Sequence, residues 1–152
     1  MQLSELLVSK KCAAPDQVVT CSESDPARRA IDLMADNHIG AIVVTRDDKV
    51  VGVYSERDVV RNCRDNESGF ADRRIGQLMS TNVVTVGPDQ NIDSALQLMR
   101  EHNIRHLPVI DGSEMVGLVS LRDLMVAKLE YEHQKTEFLK GQVNAANRPL
   151  PM

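Results

Sequence analysis

The sequence predicts an α/β (α+β) fold built from two copies of one β-α-β-β-α unit, and three observations lead to this prediction. First, the segment from Val18 to Asp58 recurs 65 positions later without a gap, with 13 identities in 41 positions. Second, each copy combines one helical hydrophobic period with short β-rich runs. Third, the 152 residues are 42% hydrophobic but only 3% aromatic, which predicts one or two compact domains with an aliphatic core.

Each copy opens with a short extended run, residues 18–20 and 83–85, followed by a helix. In the first copy, Asp25 is predicted as the N-cap of this helix and Pro26 as its first residue. The helix faces are predicted from apolar residues at i, i+3, i+4 and i+7. These residues are Ala27, Ala30, Ile31 and Met34 in the first copy and Ile92, Ala95, Leu96 and Met99 in the second.

A β-hairpin and a second helix complete each copy. Residues 42–45 and 50–54 are rich in β-branched residues and are separated by the polar turn 46–49. Residues 107–110 and 115–119 repeat this arrangement in the second copy. Ser55 and Ser120 then stand where the N-cap of a helix is expected. One such unit leaves a face of its small sheet uncovered, so the two units are expected to pack sheet to sheet.

The sequence predicts that the chain consists of repeat 1 (residues 3–64), a polar linker (65–74), repeat 2 (75–140) and a mobile C-terminal tail (141–152). Residues 3–8 and 75–79 are predicted as short helices that lead into the first and second copies. Gly141 is predicted to end the last helix, because glycine commonly follows a helix C-terminus.

Charge and cysteine content exclude several classes of protein. A net charge of -4 argues against a general nucleic-acid binder, which normally carries a basic surplus. Cys12, Cys21 and Cys63 are odd in number and form no CxxC pair, which favours reduced thiols. The sequence has neither a leader-like N-terminus nor an apolar run of about 18 residues, as a membrane span needs. We therefore expect a cytoplasmic protein without a membrane partner.

Three stretches, residues 51–58, 104–109 and 115–123, resemble the tandem CBS-domain proteins, also called Bateman modules. The resemblance covers residues 3–140 and includes the duplicated Ser-x-x-Asp of Ser55–Asp58 and Ser120–Asp123. It implies two β-α-β-β-α units related by a pseudo-two-fold axis. It also implies binding of adenosine-containing ligands in the cleft between the repeats, and regulation of a separate protein that remains unidentified.

The resemblance also implies roles for individual residues. Asp58 and Asp123 match the ribose-binding aspartate, and Ser55 and Ser120 match the family's hydroxyl residue. The cations expected near phosphate are Arg57, Arg105, His106 and Arg122, and the first copy has Gly40 and Ala41 in place of Arg105 and His106. The residues at the adenine-slot positions are Val19, Ile39, Val53, Val84, Ile104 and Leu118.

Alternatives to these roles remain open. Ser-x-x-Asp is also close to a helix capping box, in which both side chains bind backbone N–H groups. Arg57 and Arg122 also fit solvated helix residues. His102 and His106 are four apart, but Pro108 and the adjacent hairpin place them in a loop rather than on one helix face, so no metal site is expected. No nucleophile has a base at a recognisable spacing, so no enzymatic activity is expected.

The predicted ligand is an adenine nucleotide, AMP, ADP or ATP, and the number of occupied sites is left open. The alternatives are NAD or S-adenosylmethionine in the same cleft, or a structural dimerisation module with vestigial sites. CBS pairs commonly associate through their outer helices, and a homodimer is expected here. The apolar residues predicted for its interface lie on the last helix: Leu121, Leu124, Met125, Leu129, Phe138 and Leu139.

Overall fold

The computed structural model describes residues 1–65 and 68–146, with side chains up to residue 143. Within these residues the chain forms five α-helices and five β-strands, joined by three short 3-10 turns. In chain order they are α1 (Leu3–Val8), β1 (Thr20–Ser22), α2 (Ala27–Asn37), β2 (Ala41–Arg46), β3 (Lys49–Ser55), α3 (Glu56–Asp65), α4 (Ile92–His102), β4 (His106–Asp111), β5 (Glu114–Ser120) and α5 (Leu121–Ala146).

The hairpins form as predicted, and each is followed at once by a helix. β2 pairs with β3, and β4 with β5, in antiparallel register with an irregularity at the same place in both copies. The first turn is built on Asp47 and Asp48, both with positive φ, which is the backbone conformation of a tight two-residue hairpin. The helices begin at Glu56 and Leu121, which makes Ser55 and Ser120 the N-cap residues.

The predicted first strand at residues 18–20 was placed too early. β1 spans Thr20–Ser22 and pairs in parallel with β2, with Thr20 opposite Val43. The 3-10 turn Pro15–Gln17 ends at Val18, whose N–H donates to the Pro15 carbonyl, so residue 18 closes a turn. The predicted start of α2 is also shifted by one residue. Pro26 is the N-cap, and the Asp25 carboxylate instead accepts a hydrogen bond from the Ser22 N–H at 2.9 Å.

The predicted strand at residues 83–85 is wrong, and Pro108 explains why. The second copy makes only a single parallel bridge, between Val86 and Val109. Val86 accepts a hydrogen bond from Ile110 and donates one to Pro108. Continuing this ladder towards residue 84 requires an N–H from residue 108, and proline has none. Val43, the equivalent residue in repeat 1, has an N–H and lies opposite β1.

The segments that lead into the two copies are exchanged between them. α1 packs against the core of repeat 2, where Leu3 and Leu6 are buried with Leu124. The 3-10 turn Ile75–Gln77, predicted as a short helix, packs against the core of repeat 1 through the buried Ile75. Backbone hydrogen bonds hold both exchanges: Leu3 donates to Gln90, and Ile75 donates to Asp25. Each repeat therefore completes its core with a segment from outside its own copy.

Two equivalent glycines allow this close crossing. A Cβ on Gly117 would lie 2.5 Å from Leu7 Cδ2 and 3.0 Å from the Ala13 carbonyl oxygen. A Cβ on Gly52 would lie 2.9 Å from the Ser80 carbonyl oxygen and closer still to the Met79 side chain. The duplicated Val-Gly pairs are thus explained by close approach of another segment to the strand.

The last helix runs further than predicted. α5 continues through Gly141 to Ala146, so Gly141 is not its end, and the rest of the predicted tail, residues 147–152, lies outside the described residues. A mid-helix glycine costs only about 1 kcal/mol relative to alanine, which neighbouring helix formers offset. No helix in the described part of the chain combines the length and the apolar character needed to cross a membrane.

Candidate functional site

The first candidate site lies where β3 passes into α3. The Ser55 N–H and the Ser55 hydroxyl donate to Asp58 Oδ2 at 2.9 and 3.0 Å, and the Asp58 N–H donates to Ser55 Oγ at 3.3 Å. This is the reciprocal pattern of a capping box with aspartate in the fourth position. The other carboxylate oxygen, Oδ1, faces Arg61 at 3.8 Å. Both oxygens of Asp58 therefore have partners in the protein.

The second candidate site lies where β5 passes into α5, and its hydrogen bonding differs in one respect. The Ser120 N–H donates to Asp123 Oδ2 at 3.0 Å, and the Asp123 N–H donates to Ser120 Oγ at 3.0 Å. Among the described residues, Asp123 Oδ1 accepts no hydrogen bond and the Ser120 hydroxyl donates none to a side chain. One carboxylate oxygen and one hydroxyl proton remain available for a ligand.

The loops before the hairpins lie beside these helix starts. Ala41 lies opposite Ser55, and the Gly40 carbonyl accepts a hydrogen bond from the Glu56 N–H at 3.0 Å. In repeat 2, His106 lies opposite Ser120, and the Arg105 carbonyl accepts from the Leu121 N–H at 2.8 Å. We call residues 40–41 with 55–58 junction 1, and residues 105–106 with 120–123 junction 2.

Burial sets the protonation of His106 within junction 2. Removal from water lowers the pKa of this imidazole below its ordinary value, while the nearby Asp123 carboxylate opposes the shift and Arg105 adds to it. The ring is therefore neutral at pH 7 and can offer an N–H donor without a full charge. Arg105, which is exposed, is left as the charged group of this pair.

The predicted slot residues fall into two groups. Val53 and Leu118 lie on the sheet faces opposite the helices, because side chains alternate along a strand and their neighbours Tyr54 and Val119 are buried in the cores. Since β3 contacts β5, these faces are the ones that meet between the repeats. The other four residues are partly buried against the core of their own repeat: Val19 and Ile39 in repeat 1, and Val84 and Ile104 in repeat 2.

Arg57 and Arg122 occupy equivalent positions but have different surroundings. Arg57 reaches across to repeat 2, where Nη2 donates to the Asn103 carbonyl at 2.5 Å. Asn103 is the left-handed C-cap of α4, two residues before Arg105. Arg122 is exposed and makes no ion pair with any described residue. The Arg57 guanidinium is therefore bound by repeat 2, close to junction 2 rather than junction 1.

Three residues of the site were not predicted. Glu56 Oε2 lies 3.5 Å from the position that a Cβ on Gly40 would take, so its carboxylate covers the loop of junction 1. Arg61 faces Asp58, as described above. Cys12, half-buried against the core of repeat 2, has its pKa raised by burial and by the charge of Asp123, which places its thiol within electrostatic reach of junction 2. The sequence contains a signal for Glu56, since it is the one difference between the two Ser-x-Arg-Asp stretches.

Among the described residues, the remaining surface depressions and histidines lie outside the two junctions. Two surface depressions lie on the outer side of repeat 2, beside the ion pair that Asp93 and Lys128 form at 2.7 Å. Neither depression includes a residue of the two junctions. His102 ends α4 and His106 begins β4, so these two histidines do not share a helix face. In the described part of the chain, no three His, Cys, Asp or Glu residues are grouped as a metal ion would require.

The family model of the CBS domain matches the chain twice, over residues 13–65 and 75–130. The chain belongs to the CBS-domain family. The first matched range extends past the start of α3, and the second extends past the start of α5. Both copies therefore include a complete strand-to-helix junction. The CBS domain-containing protein YhcV of Bacillus subtilis is 33% identical over 125 residues, which cover 82% of this chain and 88% of that protein.

Solved CBS-domain structures share this fold. A putative signal-transduction protein with CBS domains from Burkholderia ambifaria is 34% identical and superimposes with a TM-score of 0.73, covering 86% of this chain and 95% of that one. CBSX2 in complex with AMP gives a TM-score of 0.74 at 19% identity, covering 87% and 98%. The CBS pair of protein MJ0100, in complex with 5'-methylthioadenosine and S-adenosyl-L-methionine, gives 0.68 at 20% identity, covering 88% and 98%. Because CBSX2 and MJ0100 are only 19% and 20% identical to this chain, their likeness shows the fold alone.

Proposed function

We propose that this CBS pair is a cytoplasmic, non-catalytic regulatory module that binds an adenine nucleotide in the cleft between its repeats and signals to a separate protein. Ligand binding shifts such a module only through a difference in affinity between its conformations, which the partner then distinguishes. No metal is required by this proposal. The three cysteines of the chain, Cys12, Cys21 and Cys63, form no disulfide bond in the structure.

The observation that carries the proposal is the geometry of junction 2. Asp123 keeps one carboxylate oxygen available at the start of a helix, and a charged acceptor of this kind suits the two hydroxyl protons of a ribose diol. Ser120 stands beside it at the N-terminus of α5, whose dipole favours phosphate, while the N–H groups of Leu121 and Asp123 already donate to Arg105 and to Ser120. Arg105, Arg122 and the neutral His106 add donors at the same place.

The candidate ligands all contain an adenosine ribose, so the ribose-binding aspartate does not distinguish among them. A ribose-binding aspartate serves AMP, ADP and ATP as well as NAD and S-adenosylmethionine. The complexes of CBSX2 with AMP and of MJ0100 with methylthioadenosine and S-adenosylmethionine support the adenosyl class for this fold. The cations at junction 2 favour the nucleotides among these ligands, because phosphate needs positive charge and S-adenosylmethionine supplies a cation of its own.

We also propose a homodimer formed through α5. Leu124 is fully buried in the core of repeat 2, so it is not available for the interface predicted from the sequence, and Leu121 is partly buried. Met125, Leu129 and Leu139, by contrast, are at least half exposed, with Leu129 68% exposed. Val143 extends this exposed apolar surface along the same face of the helix, whereas Phe138, also predicted for the interface, is exposed on the opposite face, nine residues after Leu129. A monomer rarely leaves so many large apolar side chains on one helix in water.

A thermal-shift panel of AMP, ADP, ATP, NAD and S-adenosylmethionine tests the proposed function. A ligand that binds only the folded protein adds about 2.7 kcal/mol of stability at 100 times its Kd, which raises the melting temperature by several degrees. We expect the largest shift with an adenine nucleotide. Shifts no larger than those given by the same concentration of GMP, for all five ligands, would leave the dimerisation module with vestigial sites as the better account.

A further inference from the structure

The two junctions have the same backbone but different charges. In both copies the first N–H of the junction helix binds the carbonyl of the loop before the hairpin, at 3.0 Å from Glu56 to Gly40 and at 2.8 Å from Leu121 to Arg105. The hairpin register is also the same, because Ala41 and His106 lie opposite Ser55 and Ser120. Equivalent residues at the two junctions therefore occupy equivalent positions, and their side chains can be compared directly.

The comparison shows a reversal of charge around the place expected for phosphate. Junction 1 carries two carboxylates, Glu56 and Asp58, and one guanidinium, Arg57. Junction 2 carries one carboxylate and two guanidinium groups. It has Arg105 at the position equivalent to Gly40, and Leu121 at the position equivalent to Glu56. The Glu56 carboxylate reaches over Gly40, so a negative charge covers the loop that bears Arg105 in the other copy.

Two further contacts increase the difference. Arg57 donates to the Asn103 carbonyl, so the one guanidinium of junction 1 is bound at the loop that precedes Arg105. At Asp58 the carboxylate accepts from both the N–H and the hydroxyl of Ser55 and faces Arg61, whereas Asp123 keeps Oδ1 available. Phosphate at junction 1 would meet the negative charge of Glu56. Phosphate at junction 2 would meet hydrogen-bond donors and cations beside Asp123.

We propose that the two repeats differ in their tolerance of phosphate: junction 2 binds an adenosine ligand that carries a phosphate, and junction 1 rejects one. The Glu56 carboxylate over Gly40 repels phosphate at junction 1, and both oxygens of Asp58 are already engaged by Ser55 and Arg61. One nucleotide is therefore bound per chain. This inference rests on the proposed function and assigns the nucleotide to one half of its cleft.

Isothermal titration calorimetry with AMP and with adenosine tests the assignment. Wild type is expected to bind one AMP per chain. Arg105→Gln should weaken AMP binding at least about tenfold, because it removes a charged donor to phosphate, and should leave adenosine affinity unchanged. Arg100→Gln removes the same charge from the exposed outer face of α4 and serves as the matched control, with AMP affinity equal to that of wild type.

Junction 1 is tested by reversing its charge. Glu56→Gln removes the carboxylate without adding bulk, and Gly40→Arg with Glu56→Leu copies the residues of junction 2. A Cβ on Gly40 meets nothing closer than 3.5 Å, so the arginine has room. We expect the double variant to bind a second AMP per chain, and Glu56→Gln to bind a weak second AMP. The single variant keeps the test valid if the double variant does not fold.

The outcomes separate the inference from the proposed function. Two AMP molecules of similar affinity per wild-type chain would overturn the inference and leave the proposed function standing. Equal losses of AMP and adenosine affinity in Arg105→Gln would also overturn it, since the arginine would then not act on phosphate. If neither AMP nor adenosine binds wild type, the proposed function itself fails.

Discussion

Leu118 and Ala13 exchange two backbone hydrogen bonds, with N–O distances of 3.0 and 3.2 Å. Leu118 belongs to β5 of repeat 2, while Ala13 lies ahead of β1 of repeat 1, so this pair fastens one repeat to the segment that leads into the other. Val53 and Ser80 make the equivalent exchange, both at 3.0 Å. The two repeats are therefore interlocked, and neither completes its core without a segment from outside its own copy.

Substitution at the crossing tests this interlocking. Gly117→Ala places a methyl group 3.0 Å from the Ala13 carbonyl oxygen and against Leu7, and overpacking of this kind costs about 1–3 kcal/mol. Gly141→Ala is the matched control, because a Cβ there meets nothing within 4 Å and alanine favours the helix by about 0.5–1 kcal/mol. Urea unfolding should show a loss for the first variant and a gain for the second. A Gly117→Ala protein as stable as wild type contradicts the close crossing.

The dimer is tested by light scattering at low micromolar concentration. Leu129→Glu with Leu139→Glu places two charges on the exposed apolar surface of α5 and should convert a dimer into a monomer of 16.9 kDa. Val8→Glu changes an even more exposed apolar residue on α1, at 84% exposure, and should leave the dimer intact. Wild-type protein that scatters as a monomer refutes the dimer.

The junctions and hairpins could be predicted because they are determined by neighbouring residues. Asp47 and Asp48 form the turn, and Ser55 and Ser120 cap the helices that follow them, all within a few positions along the chain. The exchange of α1 between repeats could not be predicted, since it depends on contacts between residues more than 80 positions apart, such as Leu3 with Gln90. The duplication indicates two similar units but not which leading segment completes which core.

The misplaced strands and helix end have local causes that outweighed the pattern. Val83 and Val84 have the composition of a strand, but Pro108 on the neighbouring strand removes the N–H that would pair with them. Gly141 resembles a helix stop, yet α5 continues beyond it. At the site, the residue types were predicted, but the turn of Arg57 towards Asn103 depends on the packing of one repeat against the other.

The titration of His106 gives a pH-dependent prediction. Burial holds the pKa of His106 below the ordinary value of 6.5, so the unfolded chain binds a proton at a higher pH than the folded protein does. The free energy of unfolding should therefore fall as the pH falls through 6.5 and below, and His106→Gln should reduce this dependence. NMR titration of the imidazole should give a pKa below 6.5. Asp123→Asn should lower the pKa of His106 further, because Asp123 stabilises the imidazolium; a rise would contradict their proximity.

The role of Asp123 separates a ligand site from a helix cap. If its free oxygen binds ribose, Asp123→Ala deletes up to two charge-assisted hydrogen bonds of about 1.5–3 kcal/mol each before compensation by water, and AMP affinity falls at least about tenfold. If Asp123 only caps α5, the loss appears as about 1 kcal/mol of stability in the ligand-free protein, with affinity little changed. Calorimetry and thermal unfolding of the same variant distinguish these results.

The most direct test of nucleotide binding at junction 2 compares AMP with its 2′,3′-dideoxy analogue by calorimetry on the wild-type protein. The analogue keeps the adenine and the phosphate but lacks the diol that Asp123 is proposed to bind. We predict that wild type binds the analogue at least about tenfold more weakly than AMP, and that Asp123→Ala binds the two almost equally. Equal affinity of wild type for both ligands would contradict the assignment of Asp123 to the ribose, whatever the variant does.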